Sequence, residues 1–508
     1  MTAAADVIYL NVEGHTLTAP DQTFEALAIR DGMIVKLGRA YEVRFLRGVD
    51  TTVIDCNGGV LLPGFIDAHT HMETLGRRLV HADLSTATNR EAALELLASQ
   101  QDDESEWILG YGYDESIWPD GRYLMREELD SISTDQPVVA FREDMHAASV
   151  NSVVLETVDI PGEYLDEDTG HKTGVVFEDG VGILSQASAP DRSDTKNLIT
   201  AAITHAHRHG VTAVHDMVRN SYAPRIYREL DEANELDLRV RLYYWATHID
   251  AIEEVGLCTN SGNEFVQFGG IKSFTDGSIG ARTAKLSSTY ADADTTGEWV
   301  VCPSELSSRV DRVKSLDLQM AVHAIGDEAI DETLGILPDD PAARHRIEHF
   351  ELHPSDLSDV MCIASVQPNF LRWAREDGLY PTRLGKDRSE QSNQYRRIID
   401  ADIPLAFGSD CMPFGPLFGI QQAVTAPSSS QRLSVTEALR AYTIGGAYAG
   451  FDENRIGTLT VGKRADMTVL ATSPWDVDPS DIDAIEVMMT IVDGSVVYQN
   501  PDGTEIVH

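Results

Sequence analysis

The stretch Leu61-Leu62-Pro63-Gly64-Phe65-Ile66-Asp67-Ala68-His69-Thr70-His71 closes a short apolar run with two imidazoles one residue apart. In an extended backbone, residues i and i+2 project to the same side, so His69 and His71 can converge on one metal ion. A His-x-His at a solvated strand edge is by itself an innocuous pattern. Its meaning depends on whether later strands end in matching ligands.

Downstream, short apolar strands alternate with helical stretches, which predicts a parallel barrel or a doubly wound sheet. The strand candidates are Gly64 to Ala68, Val211 to Val214, Val240 to Trp245, Gly270 to Ile271, Met320 to Val322, Arg346 to Glu348, Ile363 to Val366 and Leu405 to Phe407. Eight of them suit a (β/α)8 barrel, whose active site lies at the C-terminal strand ends. A ninth run, Pro137-Val138-Val139-Ala140-Phe141, falls in a stretch too long for one barrel connection, so we expect an insertion over the barrel mouth at about residues 81–193. The first sixty residues read as short strands, with Asp31-Gly32 as a hairpin turn. The last fifty repeat the style around Asp493-Gly494. These ends predict a small β-sandwich of residues 1–63 plus 452–508 flanking an α/β barrel at 64–451.

Reading off the residue that follows each candidate strand gives His69 and His71 after the first, Lys272 after the fourth, His323 after the fifth, His349 after the sixth and Asp410 after the eighth. Taken singly, each has an ordinary structural explanation. Taken together they would need five coincidences of position. Lys272 is one of only eight lysines and sits among Phe268, Gly269, Gly270, Ile271 and Phe274, a setting that disfavours an ammonium. A buried lysine of lowered pKa can react with carbon dioxide to form a carbamate, an anionic ligand able to bridge two cations. Two such metals would polarise a substrate carbonyl and acidify a bridging water. Asp410 would accept the water's proton and pass it to a leaving amine. His205, His207 and His209 also alternate, but in a helical stretch, where i and i+2 diverge.

The balance of 40 Lys+Arg against 82 Asp+Glu, a net charge of −42, argues against nucleic acid or an anionic membrane as partner. Acidity spread along a lysine-poor chain fits a halophile's cytoplasmic protein, kept hydrated where salt screens self-repulsion. Five cysteines without Cys-x-x-Cys spacing support neither a disulfide framework nor a cysteine zinc site. No signal peptide or membrane-length apolar run is evident.

Pro63-Gly64-Phe65-Ile66-Asp67-Ala68-His69-Thr70-His71, with Lys272, His323, His349 and Gly408-Ser409-Asp410, resembles the amidohydrolase superfamily of metal-dependent hydrolases. Gly110-Tyr111-Gly112-Tyr113-Asp114 before Trp118-Pro119, the run Asp276-Gly277-Ser278-Ile279-Gly280-Ala281-Arg282, and Val322-His323-Ala324-Ile325-Gly326-Asp327 resemble its subfamily of N-substituted formamide deformylase and YtcJ-like proteins. The resemblance implies a distorted (β/α)8 TIM barrel, a sandwich built from both termini and a binuclear centre, usually zinc. Carried over by position, His69, His71 and Asp410 would bind one metal, His323 and His349 the other, and carboxylated Lys272 would bridge them. His146, Asp276, Ser278 and Arg282 are candidates for substrate contact. Cys411-Met412 departs from the aromatic residue many relatives carry there, which leaves substrate preference open. The expected activity is hydrolysis of a C–N bond in a small amide or formamide. A mononuclear deaminase and a degenerate binding or regulatory member are the alternatives, and a homodimer is suggested by relatives alone.

Overall fold

The computed structural model describes residues 4–19, 22–101, 106–143, 145, 147–168, 171–501 and 506–507. By contact density the chain divides into two compact units, Met1–His71 with Ile203–His508 and, separately, Met72–Ala202.

The first unit holds an eight-stranded, nearly closed parallel sheet. Its strands are β1 (Phe65–Thr70), β2 (Val211–Val218), β3 (Arg239–Trp245), β4 (Val266–Phe274), β5 (Gln319–Ala324), β6 (Arg346–His349), β7 (Ile363–Val366) and β8 (Leu405–Phe407), paired in that order. Every pairing is parallel, so all C-terminal ends open on one face. Where β8 returns to β1, the Asp410 amide donates to the His69 carbonyl at 2.8 Å. The Ser409 amide donates to Asp67 Oδ1 at 2.9 Å. The eight expected strands are all present, several of them longer than the sequence suggests. Strand β4 runs for nine residues because Gly269-Gly270 conceals its pattern. A Cβ on Gly270 would lie 2.3 Å from the Gln319 carbonyl oxygen of β5, so close backbone approach requires glycine there.

Two antiparallel-rich sheets in the same unit draw strands from both ends of the chain. One joins Ile506–Val507, Arg47–Asp55, Ala5–Leu10, Ala26–Arg30 and Met33–Gly38. The other joins Ser495–Gln499, Val487–Val492, Met467–Leu470, Val60–Pro63, Glu13–His15 and Thr23–Phe24. Tyr9, Leu27, Ile34, Leu61, Met467, Val469 and Met489 share one core cluster between them. Asp31 and Gly32, like Asp493 and Gly494, have positive φ, the geometry of a two-residue hairpin that matches strand twist. Val60–Pro63 belongs to a sandwich sheet and β1 starts at Phe65, so a single covalent run joins sandwich to barrel.

The second unit carries its own six-stranded sheet, ordered Leu165–Asp168, His171–Phe177, Ala147–Val150, Val138–Arg142, Ile108–Tyr113 and Ala82–Asp83. The ninth apolar run is therefore its fourth strand. Among the described residues no helix is long and apolar enough to cross a membrane.

Candidate metal centre

The alternation that aims His69 and His71 to one side of β1 also aims Arg346 and Glu348 to one side of β6, and the parallel register brings these ends together. Ligand-capable atoms of His69, His349 and Asp410 lie within 4.8 Å of one another. His71 Nε2 is 3.3 Å from Asp410 Oδ1 and His69 Nε2 is 3.8 Å from it. The His69 and His349 ring centroids are 5.0 Å apart, and those of His349 and His323 are 4.4 Å apart. Lys272, 1 % exposed, reaches the same interior, where its charge acts on all four imidazoles and on Asp410. All six expected ligands therefore meet in one place. His349 and Asp410 have positive φ (72° and 52°), sparsely populated backbone that clusters at functional sites.

Each imidazole has one nitrogen engaged by a protein acceptor. His69 Nδ1 donates to Glu348 Oε2 at 2.6 Å, and His71 Nδ1 donates to the Met217 carbonyl at 2.9 Å. His349 Nδ1 donates to Gln367 Oε1 at 2.6 Å, and His323 Nε2 donates to the Gly277 carbonyl at 2.9 Å. In His69, His323 and His349 such a bond fixes the tautomer and leaves the opposite nitrogen as a lone-pair donor, the arrangement that metal-ligating histidines show, whereas His71 also sets its Nε2 against Asp410. Burial, then the Lys272 charge, holds His69 well below the usual histidine range. Burial and the neighbouring His323 do the same to His349. Burial and Lys272 bring His323 down to about 4. These three rings are neutral at pH 7, as ligands must be. Burial opposes the charged form of His71 too, but the hydrogen bond and charge of Asp410 outweigh it and raise its pKa. Burial also opposes ionisation of Asp410, and the His71 bond with the surrounding positive charge holds that carboxyl below its ordinary value.

Lys272 Nζ is buried with no hydrogen-bond partner among the described residues. It lies over the Phe274 ring, 5.0 Å from the centroid. Burial brings its pKa down to about 8 against the favourable charges of Glu348 and Asp410. An orphaned buried ammonium is costly, and its neutral amine is a nucleophile.

Of the expected substrate contacts, Asp276 borders the cluster, its Oδ1 3.7 Å from His323 Nε2. Asp276 is buried and spends its carboxylate on the backbone amides of Ile325, Gly326 and Lys285 at 2.8–3.1 Å. Burial still pushes its pKa up to about 7. Ser278 is exposed, and its hydroxyl accepts from the Ala281 amide. Arg282 forms a two-pronged pair with Asp292 at 2.7 and 3.0 Å, an anion that also takes Arg383. All three residues make hydrogen bonds that order their own loop and its neighbours. His146 falls outside the described residues.

Sequence reading missed the layer behind the ligands. Glu348, fully buried, accepts from His69 and from Arg346 Nε at 2.7 Å. Arg346, equally buried, also donates to the Ala68 carbonyl, Ser365 Oγ and His215 Nδ1. The available signal was Arg346-Ile347-Glu348, two opposite charges at i and i+2 in a core strand, which have to be paired to be buried. Gln367, one residue past β7, carried no signal of its own.

An eight-stranded parallel barrel with this donor set at its C-terminal face defines the class, and comparison with known proteins agrees. Residues 52–498 match the model of the amidohydrolase family, Amidohydro_3, and the chain belongs to that family. YtcJ of Bacillus subtilis is 29% identical over 96% of this chain and 98% of its own. N-substituted formamide deformylase of Arthrobacter pascens is 23% identical, covering 98% and 99% of the two chains. The crystal structure of an uncharacterized metal-dependent hydrolase from Pyrococcus furiosus superposes with a TM-score of 0.81 at 29% identity, covering 92% of this chain and 100% of that one. The chain is thus a hydrolase of a metal-dependent superfamily.

Proposed function

We propose that this chain hydrolyses the C–N bond of a small amide or formamide at a binuclear metal centre. His69, His71 and Asp410 would hold one ion, His323 and His349 the other, with Lys272 bridging as its carbamate. The observation that carries this reading is Lys272 Nζ, buried among four imidazoles and a carboxylate and without a hydrogen-bond partner among the described residues. Its neutral amine would add to carbon dioxide and release one proton, leaving an anionic oxygen ligand where the two cations would be held.

Two divalent ions, most commonly zinc in this superfamily, supply Lewis acidity that polarises a carbonyl and makes water acidic near neutrality. The chain's own groups do the rest. Glu348, Met217, Gln367 and Gly277 fix the ring tautomers. Asp410, held ionised beside His71, is placed to take a proton from water and return it to the departing amine. The relationship to a formamide deformylase supports a formamide or amide as the bond cut. The tight His69, His349 and Asp410 triad would by itself suit a mononuclear deaminase, and the metal-to-protein ratio separates the two readings. We read the acidic, lysine-poor composition as that of a cytoplasmic protein adapted to concentrated salt.

The test is metal analysis followed by a screen of N-formyl, N-acyl, lactam and amidine compounds in high salt. Asp410→Asn is expected to lower kcat by about 100-fold or more. Full activity of Asp410→Asn or of His323→Ala would overturn the mechanism.

A further inference from the structure

Beyond the metal ligands, the C-terminal ends of β2, β3 and β4 carry a constellation that the proposed chemistry leaves unused. Arg219 follows β2 directly, two residues past Met217, whose carbonyl holds His71. The Arg219 guanidinium carbon lies over the Trp245 ring, 4.5 Å from its centroid. Trp245 ends β3 and pairs in register with Lys272 of β4. The ring series continues from Trp245 to Phe274 at 4.7 Å and from Phe274 to His323 at 5.2 Å. An aromatic wall therefore runs from a candidate ligand to an arginine.

Three features set this wall apart from core packing. Trp245, Phe274 and His323 are each partly exposed and Arg219 is exposed, whereas the strand interiors below them are buried. Among the described residues Arg219 engages no carboxylate, in a chain with twice as many acidic as basic residues. Nearby arginines behave otherwise: Arg225, on the helix Ala223–Glu232, pairs with Glu229, and Arg239 and Arg241 of β3 pair with Asp466 and Asp452. The indole N–H of Trp245 is buried without an acceptor among the described residues. An arginine that has kept its fork of donors free beside a planar surface matches a carboxylate attached to an apolar or aromatic body.

We propose that Arg219 and Trp245 form a carboxylate-recognition subsite, so that the substrate is an anionic amide of the N-formyl or N-acyl amino acid class. This deepens the hydrolase reading and rests on it. The C–N bond sits at the ligand cluster, the apolar part of the substrate lies along Trp245 and Phe274, and its carboxylate accepts from the Arg219 guanidinium. A structural cation–π contact alone would contribute to local packing and discriminate between no substrates.

The experiment compares N-formyl-phenylalanine with N-(2-phenylethyl)formamide, two formamides that differ only in the carboxylate, on metal-loaded enzyme in high salt. The wild-type enzyme is expected to favour the carboxylate compound in kcat/KM by about 10- to 100-fold, the range of a charge-assisted hydrogen bond. In Arg219→Met that ratio falls toward unity, mainly through KM, and Arg219→Lys recovers part of it. A second measurement needs no turnover: calorimetric titration with 3-phenylpropanoate, expected to bind the wild type and to weaken about 10-fold or more in Arg219→Met. A wild-type ratio near one, or a ratio and an affinity unmoved by Arg219→Met, overturns the subsite. If 3-phenylpropanoate binding depends on Arg219 while neither formamide is hydrolysed, the subsite stands and the reaction assigned above fails.

Discussion

Replacing Glu348 by glutamine tests the layer that orients the ligands. Glu348 Oε1 accepts from Arg346 Nε at 2.7 Å, while Oε2 accepts from His69 Nδ1 at 2.6 Å and from Arg346 Nη2 at 3.1 Å. An amide has one acceptor oxygen and one NH2 group. With the amide oxygen placed toward His69, its NH2 group confronts the Arg346 Nε–H; flipped, that group confronts the His69 Nδ1–H. Either way a donor meets a donor in a fully buried setting, and Arg346 loses its only carboxylate among the described residues. Its remaining acceptors, the Ala68 carbonyl, Ser365 Oγ and His215 Nδ1, are neutral. Removing one partner of a buried pair costs about 3–5 kcal/mol. Spread over the unfolding entropy of a chain this long, that is a fall in Tm of about 3–5 °C. Loss of the acceptor behind His69 is expected to weaken metal binding by about 10- to 100-fold. Chelator competition on the metal-free protein and chemical denaturation measure the two effects separately. The double variant Arg346→Met, Glu348→Leu removes both charges, so it should regain much of the stability while metal binding stays weak. Wild-type zinc affinity in Glu348→Gln would refute the orienting role.

Three further outcomes are expected. Gly408→Ala should lower metal content sharply, because a Cβ there would lie 2.4 Å from the His69 backbone nitrogen; a variant with full metal occupancy would contradict this. Burial, with the charge of His209, holds His205 down to about 4, whereas the unfolded chain titrates near 6.5. Between those values the unfolded state binds a proton that the folded state refuses, so stability falls as pH drops through that window. His205→Gln should flatten the decline by about one proton in denaturation curves taken from pH 7 to 4, and unchanged slopes would count against it. Finally, with a net charge of −42 the folded state should gain stability from dilute buffer to molar potassium chloride, where screening acts over about 3 Å. Equal stability in both solutions would require another explanation of the acidity.

The eight strand positions and six candidate ligands were legible because both rest on local rules. A period of two aims His69 and His71 together, and a parallel barrel puts every strand's last residue on one face. Lys272 stood out because an ammonium among apolar neighbours is costly wherever the chain folds. The loop residues were harder to read. Asp276, Ser278 and Arg282 follow Lys272 closely in sequence, and their partners, Ile325, Gly326, Ala281 and Asp292, are decided by how the chain turns after β4.

The chain's own pattern was thus sufficient for the class of fold and for which six side chains gather at the strand ends, since alternation, burial cost and strand order are properties of neighbours in sequence. The tertiary structure alone decided which nitrogen of each histidine is held, that Glu348 stands behind His69 across 279 residues, and that Arg219 meets Trp245 with no carboxylate partner among the described residues. Those are pairings between side chains on different strands, set by barrel register and packing direction, which no local periodicity encodes.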